Sequence, residues 1–156
     1  MYKFLLWPAL LSALFVSCGP DYIFQEEKEI PNGVWMYKDT LDFKVNITDT
    51  SARYDIFLDF RYRDNYANQN LYLQLHTQFP GGLRLHKVAS FDLFDEKGES
   101  VGRCSGEACS VRMVLQENAY FNKPGDYLIT LEQYTRRDSL PGILSVGMAL
   151  EKKKKE

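Results

Sequence analysis

The sequence predicts an all-β fold, an antiparallel β-sandwich of about 7–8 strands that follows an N-terminal signal segment. Apolar and polar residues alternate with a period of two along several segments, which is the spacing of a half-buried strand. Turn-forming Pro, Gly, Asp and Ser stand between these segments. Because each segment has one apolar and one polar face, the pattern favours antiparallel sheets over βαβ units.

The first residues have the pattern of a bacterial lipoprotein signal peptide. After Lys3, an apolar run from Phe4 to Val16 spans about 13 residues, which fits a cleavable signal core and is too short to cross a bilayer. The cysteine that ends this segment resembles the one at the cleavage box of lipoprotein signal peptidase. We therefore predict a signal peptide over residues 1–17 and lipidation of Cys18, whose acyl chains would hold the protein on a membrane. An ordinary secretory cleavage and an uncleaved anchor are the alternatives.

The remaining chain is predicted to form one domain with a tether and a tail. Residues 18–33 combine an acidic cluster with Pro and Gly and predict a lipidated tether, although the apolar trio at 22–24 can instead dock on the domain. Residues 34–150 form the predicted β-sandwich domain. Residues 151–156 are mostly basic and predict a disordered tail, with contact to anionic headgroups or to a partner as the alternative.

The alternation predicts the strands in order along the chain. The three clearest strands are Leu41 to Ile47, Arg53 to Arg61 and Leu71 to Phe79. Four shorter segments continue the pattern: Ala89 to Phe94, Val111 to Gln116, Asp126 to Gln133 and Leu144 to Leu150. The stretch from Ser110 to Tyr120 also fits a helix in its apolar spacing, so both a strand and a short helix remain open there.

Two cysteines lie close together in a loop between predicted strands. Cys104 and Cys109 flank a short segment that contains Gly106. In an exported protein this pair is predicted to form a small disulfide, which would stiffen one loop. Free thiols and a metal site are the alternatives, although His76 and His86 lack the paired spacing of metal ligands.

The charges and motifs do not indicate nucleic-acid binding or catalysis. The chain has 19 Lys and Arg against 21 Asp and Glu, a net charge of −2, and no basic stripe that would follow a phosphate backbone. It contains no nucleophile elbow, phosphate-binding glycine loop or His-Glu-x-x-His motif. The acidic residues at 92–99 fit a hairpin turn better than a calcium loop. We therefore expect no enzyme activity, no cofactor and no nucleic-acid partner.

Aromatic residues make up 14% of the chain and suggest a binding surface. Those that cluster in the first half are Trp35, Tyr37, Tyr62, Tyr66 and Tyr72. Exposed aromatic rings on a sandwich commonly stack on sugars or anchor a protein partner. Packing in the core and at its edge is the commoner explanation of such residues, because Trp35 precedes the first alternating strand and can cover one end of the core.

The order of short motifs along the chain carries a family resemblance. The motifs are Trp35 with Asp39-Thr40 and Phe43; Asp49-Thr50 before Tyr54; Arg61 leading to Tyr66, Asn68 and Asn70-Leu71; Pro80, Gly98 and Gly102; Phe121 with Gly125-Asp126-Tyr127; and Glu132-Gln133, Arg136, Leu140-Pro141-Gly142-Ile143 and Val146-Gly147. Together with Cys18, this order is similar to that of the gliding-motility lipoprotein GldH family of the Bacteroidetes, over nearly the whole mature chain.

The resemblance implies a lipid-anchored cell-envelope protein that is required for gliding motility or type IX secretion, acts through protein–protein contacts and has no known enzymatic activity. We expect the protein on the outer membrane, and both the periplasmic face and the cell-surface face remain possible. A glycan-binding surface lipoprotein is the alternative, because β-sandwiches with exposed aromatic rings commonly bind sugars; the fold alone does not choose between the two.

Four of the motif residues are candidates for partner contacts. Trp, Tyr and Arg dominate the hot spots of binding surfaces, which selects Trp35, Arg61, Tyr66 and Arg136. For the charged residues among them, a structural ion-pair network at a strand end is the commoner explanation, and it would also involve Glu132 and Gln133.

Overall fold

The structure is a computed structural model that describes residues 19–154. In this part of the chain the strands are β1 (Tyr22–Glu29), β2 (Val34–Met36), β3 (Leu41–Ile47), β4 (Tyr54–Arg63), β5 (Asn70–Gln78), β6 (Arg84–Asp92), β7 (Arg103–Ser105), β8 (Ala108–Ala119), β9 (Gly125–Gln133), β10 (Ser139–Pro141) and β11 (Ile143–Lys152), with a 3-10 turn at Pro31–Gly33. Among these residues no helix is long and apolar enough to cross a membrane. The predicted signal peptide and Cys18 lie outside the described residues.

Period-two burial assembles these strands into two antiparallel sheets that pack face to face. In β3 every second side chain is buried and the others are exposed, as the alternation predicted. The first sheet has the order β1-β11-β4-β8-β7, the second has the order β3-β9-β5-β6, and β10 pairs with β2 as a short ribbon. The fully buried side chains between the sheets include Phe43, Leu58, Leu73 and Leu131. The predicted antiparallel β-sandwich is confirmed.

The described residues contain eleven strands, more than the seven or eight expected. Three of the additional strands, β2, β7 and β10, have only three residues each, which is too short to show an alternating pattern. The segment that also fitted a helix is strand β8. Its residues Val111, Met113 and Leu115 pack against the core, while Arg112 and Val114 between them are exposed.

Strand β1 occupies most of the segment predicted as a tether. Its backbone pairs with β11 from Tyr22 to Glu29, and the ring of Phe24 packs edge-on against Phe43 with centroids 6.5 Å apart. The structure therefore differs from a tether over residues 18–33 and agrees with the alternative in which the apolar trio docks on the domain. Among the described residues, only 19–21 precede β1.

The first residues of the predicted disordered tail are also part of the sheet. Glu151 and Lys152 complete β11, and the backbone N–H of Lys152 donates to the carbonyl oxygen of Asp21 at 2.8 Å. The ammonium group of Lys152 lies 2.8 Å from the Asp49 carboxylate. Hydrogen bonds from Lys152 and Ser51 hold the pKa of Asp49 well below its usual range. The two ends of the described chain are therefore tied to the same corner of the sandwich.

The strand directions place the loops at two opposite ends of the sandwich. Residues 19–21, residues 153–154 and the β3–β4, β5–β6 and β8–β9 loops lie at one end, which we call the tether end. The rings of Tyr54, Phe121 and Tyr127 pack edge-on between the sheets there, with successive centroids 5.5 Å and 4.8 Å apart. The other loops, including β4–β5 and β9–β10, lie at what we call the distal end.

We expect Leu58→Ala to lower the free energy of unfolding by about 2–5 kcal/mol, because its fully buried side chain would leave a cavity that the neighbours fill only in part. Val114→Ala on the neighbouring strand is the matched control. Its half-exposed side chain faces solvent, so we expect a change below about 0.5 kcal/mol. Urea denaturation measures both values, and equal losses would contradict this assignment of inward and outward faces.

Candidate functional site

The β9–β10 loop at the distal end is held by a buried polar side chain. Gln133, the last residue of β9, is fully buried although it is polar. Its side-chain amide nitrogen donates to the carbonyl oxygen of Arg137 at 2.8 Å. Its side-chain oxygen accepts from the backbone N–H of Thr135 at 3.0 Å and from the Thr135 hydroxyl at 2.6 Å. Because a buried amide that lacks partners is costly, these contacts fix the course of the loop.

The same loop contains a residue in an unfavourable backbone conformation. Arg136 has a φ of 59°, in the left-handed region that non-glycine residues rarely adopt. Such a conformation persists only where the surrounding structure imposes it, and it is enriched at functional sites. The contacts of Gln133 on either side of Arg136 supply that constraint, and the side chain of Arg136 is exposed.

Three exposed tyrosines lie in this loop or beside it. Tyr37, Tyr72 and Tyr134 have between 41% and 52% of their surface exposed, which is high for large aromatic side chains. Backbone hydrogen bonds of 2.8 Å hold them in place, from the N–H of Tyr134 to the carbonyl of Tyr72 and from the N–H of Tyr37 to the carbonyl of Asp138. We call this surface the tyrosine–arginine patch; its members are Tyr37, Tyr72, Tyr134, Arg136 and Arg137.

Two adjoining clefts run across the tyrosine–arginine patch. The larger, of about 480 Å³, is lined by Asn68, Asn70, Tyr72, Val88, Tyr134, Thr135, Arg136 and Arg137. The smaller, of about 290 Å³, is lined by Tyr37, Tyr134, Arg136, Arg137 and Asp138. Both clefts share one tyrosine and two arginines, so the surface offers flat apolar rings beside two guanidinium groups.

The predicted candidates Trp35 and Tyr66 lie in the core under this end and do not form its surface. Trp35 is 1% exposed and Tyr66 is 6% exposed. The Trp35 indole N–H donates to the carbonyl of Asp39 at 2.9 Å, and the Tyr66 hydroxyl donates to the carbonyl of Asn70 at 3.3 Å. The structure thus corrects their assignment as contact residues, because buried rings cannot reach a partner. Burial also raises the pKa of Tyr66.

Tyr66 explains the glycine that separates the last two strands. Gly142 has a φ of 102°, and a Cβ atom there would lie 2.9 Å from Cδ2 of Tyr66. The position therefore requires glycine both for its backbone conformation and for the close approach of the ring. Tyr66 and Gly142 therefore pack together in the core beneath the surface of the distal end.

Of the remaining candidates, Arg136 belongs to the tyrosine–arginine patch and Arg61 does not. Arg61 lies on β4 in the other sheet, in a separate cleft of about 390 Å³ with Glu27, Glu29, Asp59, Ser110 and Arg112 among its lining residues. The ion-pair network proposed from sequence is not formed as a unit. Glu132 lies instead 3.2 Å from Nε2 of His76.

Arg112, one of the residues that line the cleft around Arg61, is engaged in several contacts within the protein. Arg112 binds the Asp59 carboxylate in a bidentate manner, with N–O distances of 2.6 Å and 2.7 Å, and also donates to the Tyr22 hydroxyl. The guanidinium group lies over the rings of Tyr22 and Phe57, at 5.2 Å and 5.6 Å from their centroids. The hydrogen bonds to Asp59 raise the pKa of Arg112. These contacts link β1, β4 and β8 and indicate a structural role.

The structure joins Cys104 and Cys109 as a disulfide across the β7–β8 hairpin. The two residues are directly paired across the strands, and their sulfur atoms lie 1.94 Å apart. Across residues 19–154 no group of three or more His, Cys, Asp or Glu side chains is placed to hold a metal ion.

Sequence reasoning missed Tyr134, Arg137 and the supporting role of Gln133. The sequence places Tyr-Thr-Arg-Arg-Asp directly after β9, and a loop that contains an aromatic residue and two arginines is a usable signal for a contact surface. No such signal indicates the role of Gln133. The alternation of β9 shows that its side chain points inward but does not reveal that it has hydrogen-bond partners in the loop.

Comparison with known proteins gives one family. A family model described as GldH lipoprotein matches residues 22–150. The chain is 27% identical over 146 residues to a gliding motility lipoprotein GldH homolog of Christiangramia forsetii, covering 89% of each chain. It is 23% identical over 151 residues to the gliding motility lipoprotein GldH of Flavobacterium johnsoniae, covering 92% of this chain and 93% of that protein. Among solved structures, a family GH115 4-O-methyl-α-glucuronidase is similar with a TM-score of 0.47 and 11% identity, covering 87% of this chain and 18% of that one.

We expect Gln133→Ala to loosen the β9–β10 loop, because the Arg137 carbonyl and the Thr135 N–H lose their buried partner. The free energy of unfolding should fall by about 1–3 kcal/mol. Amide hydrogen exchange over residues 134–138 should accelerate more than elsewhere. Gln116→Ala, which removes an exposed glutamine from β8, is the control and should change neither quantity. Unchanged protection of the loop in the first variant would contradict the role of Gln133.

Proposed function

Because the chain belongs to the GldH lipoprotein family, as predicted from its sequence, we propose that it is an accessory protein of gliding motility or type IX secretion that binds another envelope protein through the tyrosine–arginine patch. The family consists of lipid-anchored cell-envelope proteins and is not a known enzyme class. The observation that carries the proposal is the β9–β10 loop, which a fully buried glutamine holds so that Tyr134 and Arg136 face outward.

The composition of the patch supports a protein partner. Tyrosine and arginine are enriched in binding hot spots because a rigid ring or a planar guanidinium group gives a large contact area with little loss of conformational freedom. The buried hydrogen bonds of Gln133 order the loop before any partner arrives. A loop that is already ordered lowers the entropic cost of association.

The chemistry of the patch also indicates which side chains a partner's surface would carry. Arg136 and Arg137 are exposed beside the rings, with the Asp138 carboxylate at the edge of the smaller cleft. A matching protein surface would offer carboxylates to the two guanidinium groups and aliphatic or aromatic side chains to the tyrosines.

A glycan-binding surface lipoprotein is the second candidate. The larger cleft combines the rings of Tyr72 and Tyr134 with the side-chain amides of Asn68 and Asn70, which is a usable set for stacking on a sugar and binding its hydroxyl groups. The two arginines favour the protein partner, because neutral sugars offer no charge to pair with them.

We expect Tyr134→Ala and Arg136→Glu each to reduce recovery of motility or type IX secretion components when the full-length protein is crosslinked and purified from its own host. Truncating one hot-spot side chain commonly costs about 2 kcal/mol of binding free energy, about a thirtyfold loss of affinity. Arg103→Glu, at an exposed position on β7, is the charge control, and Cys18→Ala tests the need for the lipid anchor.

The same experiment separates the alternatives. Loss of the components with Arg61→Glu, but not with the two patch variants, would assign the contact to the other sheet. If no envelope protein is recovered and polysaccharides raise the melting temperature of the protein in a Tyr134-dependent manner, the glycan-binding function replaces the one proposed.

A further inference from the structure

We infer that the tether end binds the surface of an anionic lipid bilayer, so that the domain stands upright and the tyrosine–arginine patch points away from the membrane. This inference rests on the lipid anchor that is part of the proposed function. It concerns a different surface of the domain, with its own charges and apolar side chains.

The first argument is the short distance between the lipid and the domain. Strand β1 begins at Tyr22, and Asp21 already accepts a backbone hydrogen bond from Lys152. Three residues, 19–21, therefore separate Cys18 from the sheet. Fully extended, three residues span about 10 Å, so a lipidated Cys18 would hold the tether end against the headgroups. The longer tether predicted from the sequence would have left the domain free to tumble.

The second argument is the difference in charge between the two ends. The tether-end segments carry four basic and two acidic residues: Arg53, Lys123, Lys153 and Lys154 against Asp21 and Asp49. The distal loops carry four basic and seven acidic residues: Lys38, Lys97, Arg136 and Arg137 against Asp39, Asp64, Asp95, Glu96, Glu99, Glu107 and Asp138. An anionic bilayer attracts the first end and repels the second, although the net charge of the chain is negative.

Some of the cations at this end are paired with neighbouring carboxylates. Lys152 at the end of β11 pairs with Asp49, and Lys153 lies 3.4 Å from the Asp55 carboxylate on β4. Arg53 instead stacks on the ring of Tyr120, 5.1 Å from its centroid. The side chains of Arg53, Lys153 and Lys154 are all exposed at this end.

The third argument is the apolar side chains at two hairpin tips of the same end. Tyr120 in the β8–β9 loop is 68% exposed and Leu83 in the β5–β6 loop is 61% exposed, the two highest values among the large apolar residues in the described chain. Tyrosine favours the headgroup region of a bilayer, where its ring is apolar and its hydroxyl remains hydrated. Cations beside an aromatic ring and an aliphatic side chain form the composition of an interfacial membrane contact.

The orientation can be tested with the full-length lipidated protein reconstituted into vesicles. Tyr120→Trp and Tyr37→Trp place a fluorescent indole at exposed tyrosines of the tether end and the distal end. In vesicles of phosphatidylglycerol and acyl-brominated phosphatidylcholine, we expect loss of fluorescence for Tyr120→Trp and none for Tyr37→Trp. Trp35 contributes the same background fluorescence in both variants, because its side chain is buried. Equal quenching of both variants would overturn the orientation.

Flotation of the same vesicles tests whether the protein is anchored, separately from how the domain is oriented. A chain that floats, while its Cys18→Ala variant does not, establishes anchoring independently of orientation. If that chain then shows no quenching for Tyr120→Trp, the upright orientation is wrong and the anchor remains. If the chain does not float, both the anchor and the orientation fail.

Charge variants test the electrostatic part of the inference. In the Tyr120→Trp background, Lys153→Gln with Lys154→Gln should reduce the quenching. Each charge removed should shift the equilibrium away from the upright orientation by about fivefold, the equivalent of about 1 kcal/mol. Arg136→Gln with Arg137→Gln at the distal end is the matched control and should have no such effect. High salt should act like the lysine variants. Quenching that is unchanged by the lysine variants, or equal in vesicles without phosphatidylglycerol, would overturn an anionic surface as the binding partner.

Discussion

The pairing of β11 with β1 on one side and β4 on the other is the interaction on which the architecture depends. β11 is buried from Val146 to Leu150, and its ten residues would form a long exposed edge if β1 were detached. Gly147 makes the close packing possible, because a Cβ atom there would lie 3.1 Å from Cβ of Asp59 and 3.4 Å from the carbonyl oxygen of Glu26. Arg112 then crosses the outer face from β8 and links β4 to β1.

This pairing also determines where the two proposed contact surfaces lie. Since β1 begins at Tyr22 beside the end of β11, the N-terminal and C-terminal residues leave the sheet at the same corner. The short ribbon of β2 and β10 covers the opposite end, and the side chain of Trp35 in β2 is buried there. Because β10 belongs to that ribbon, the chain must turn from β9 into β10 at the distal end. This turn is the β9–β10 loop, which contains Arg136.

The sequence predicted the sandwich well because period-two alternation reports directly on which face of a strand is buried. It failed at β1, where the inward side includes Glu26 and Lys28 at the sheet edge, so the pattern reads as a polar linker. It also failed for Trp35 and Tyr66, because residue type favours both core packing and binding, and only the tertiary structure separates the two. Arg136 was selected by the same criterion of residue type, and its side chain lies exposed in the β9–β10 loop, so its role in contacts stays a prediction.

The separation of the two ends has a consequence for binding at the membrane. β4 has ten residues, which span about 33 Å, so an upright domain would hold the tyrosine–arginine patch about that far above the headgroups. A protein that is anchored and oriented has lost part of its translational and rotational freedom before it meets a partner, which lowers the remaining cost of association. The contacts of Gln133 lower it further, because they order the loop in advance. A patch of only a few side chains can then bind a partner in the same membrane with less contact area than free association would require.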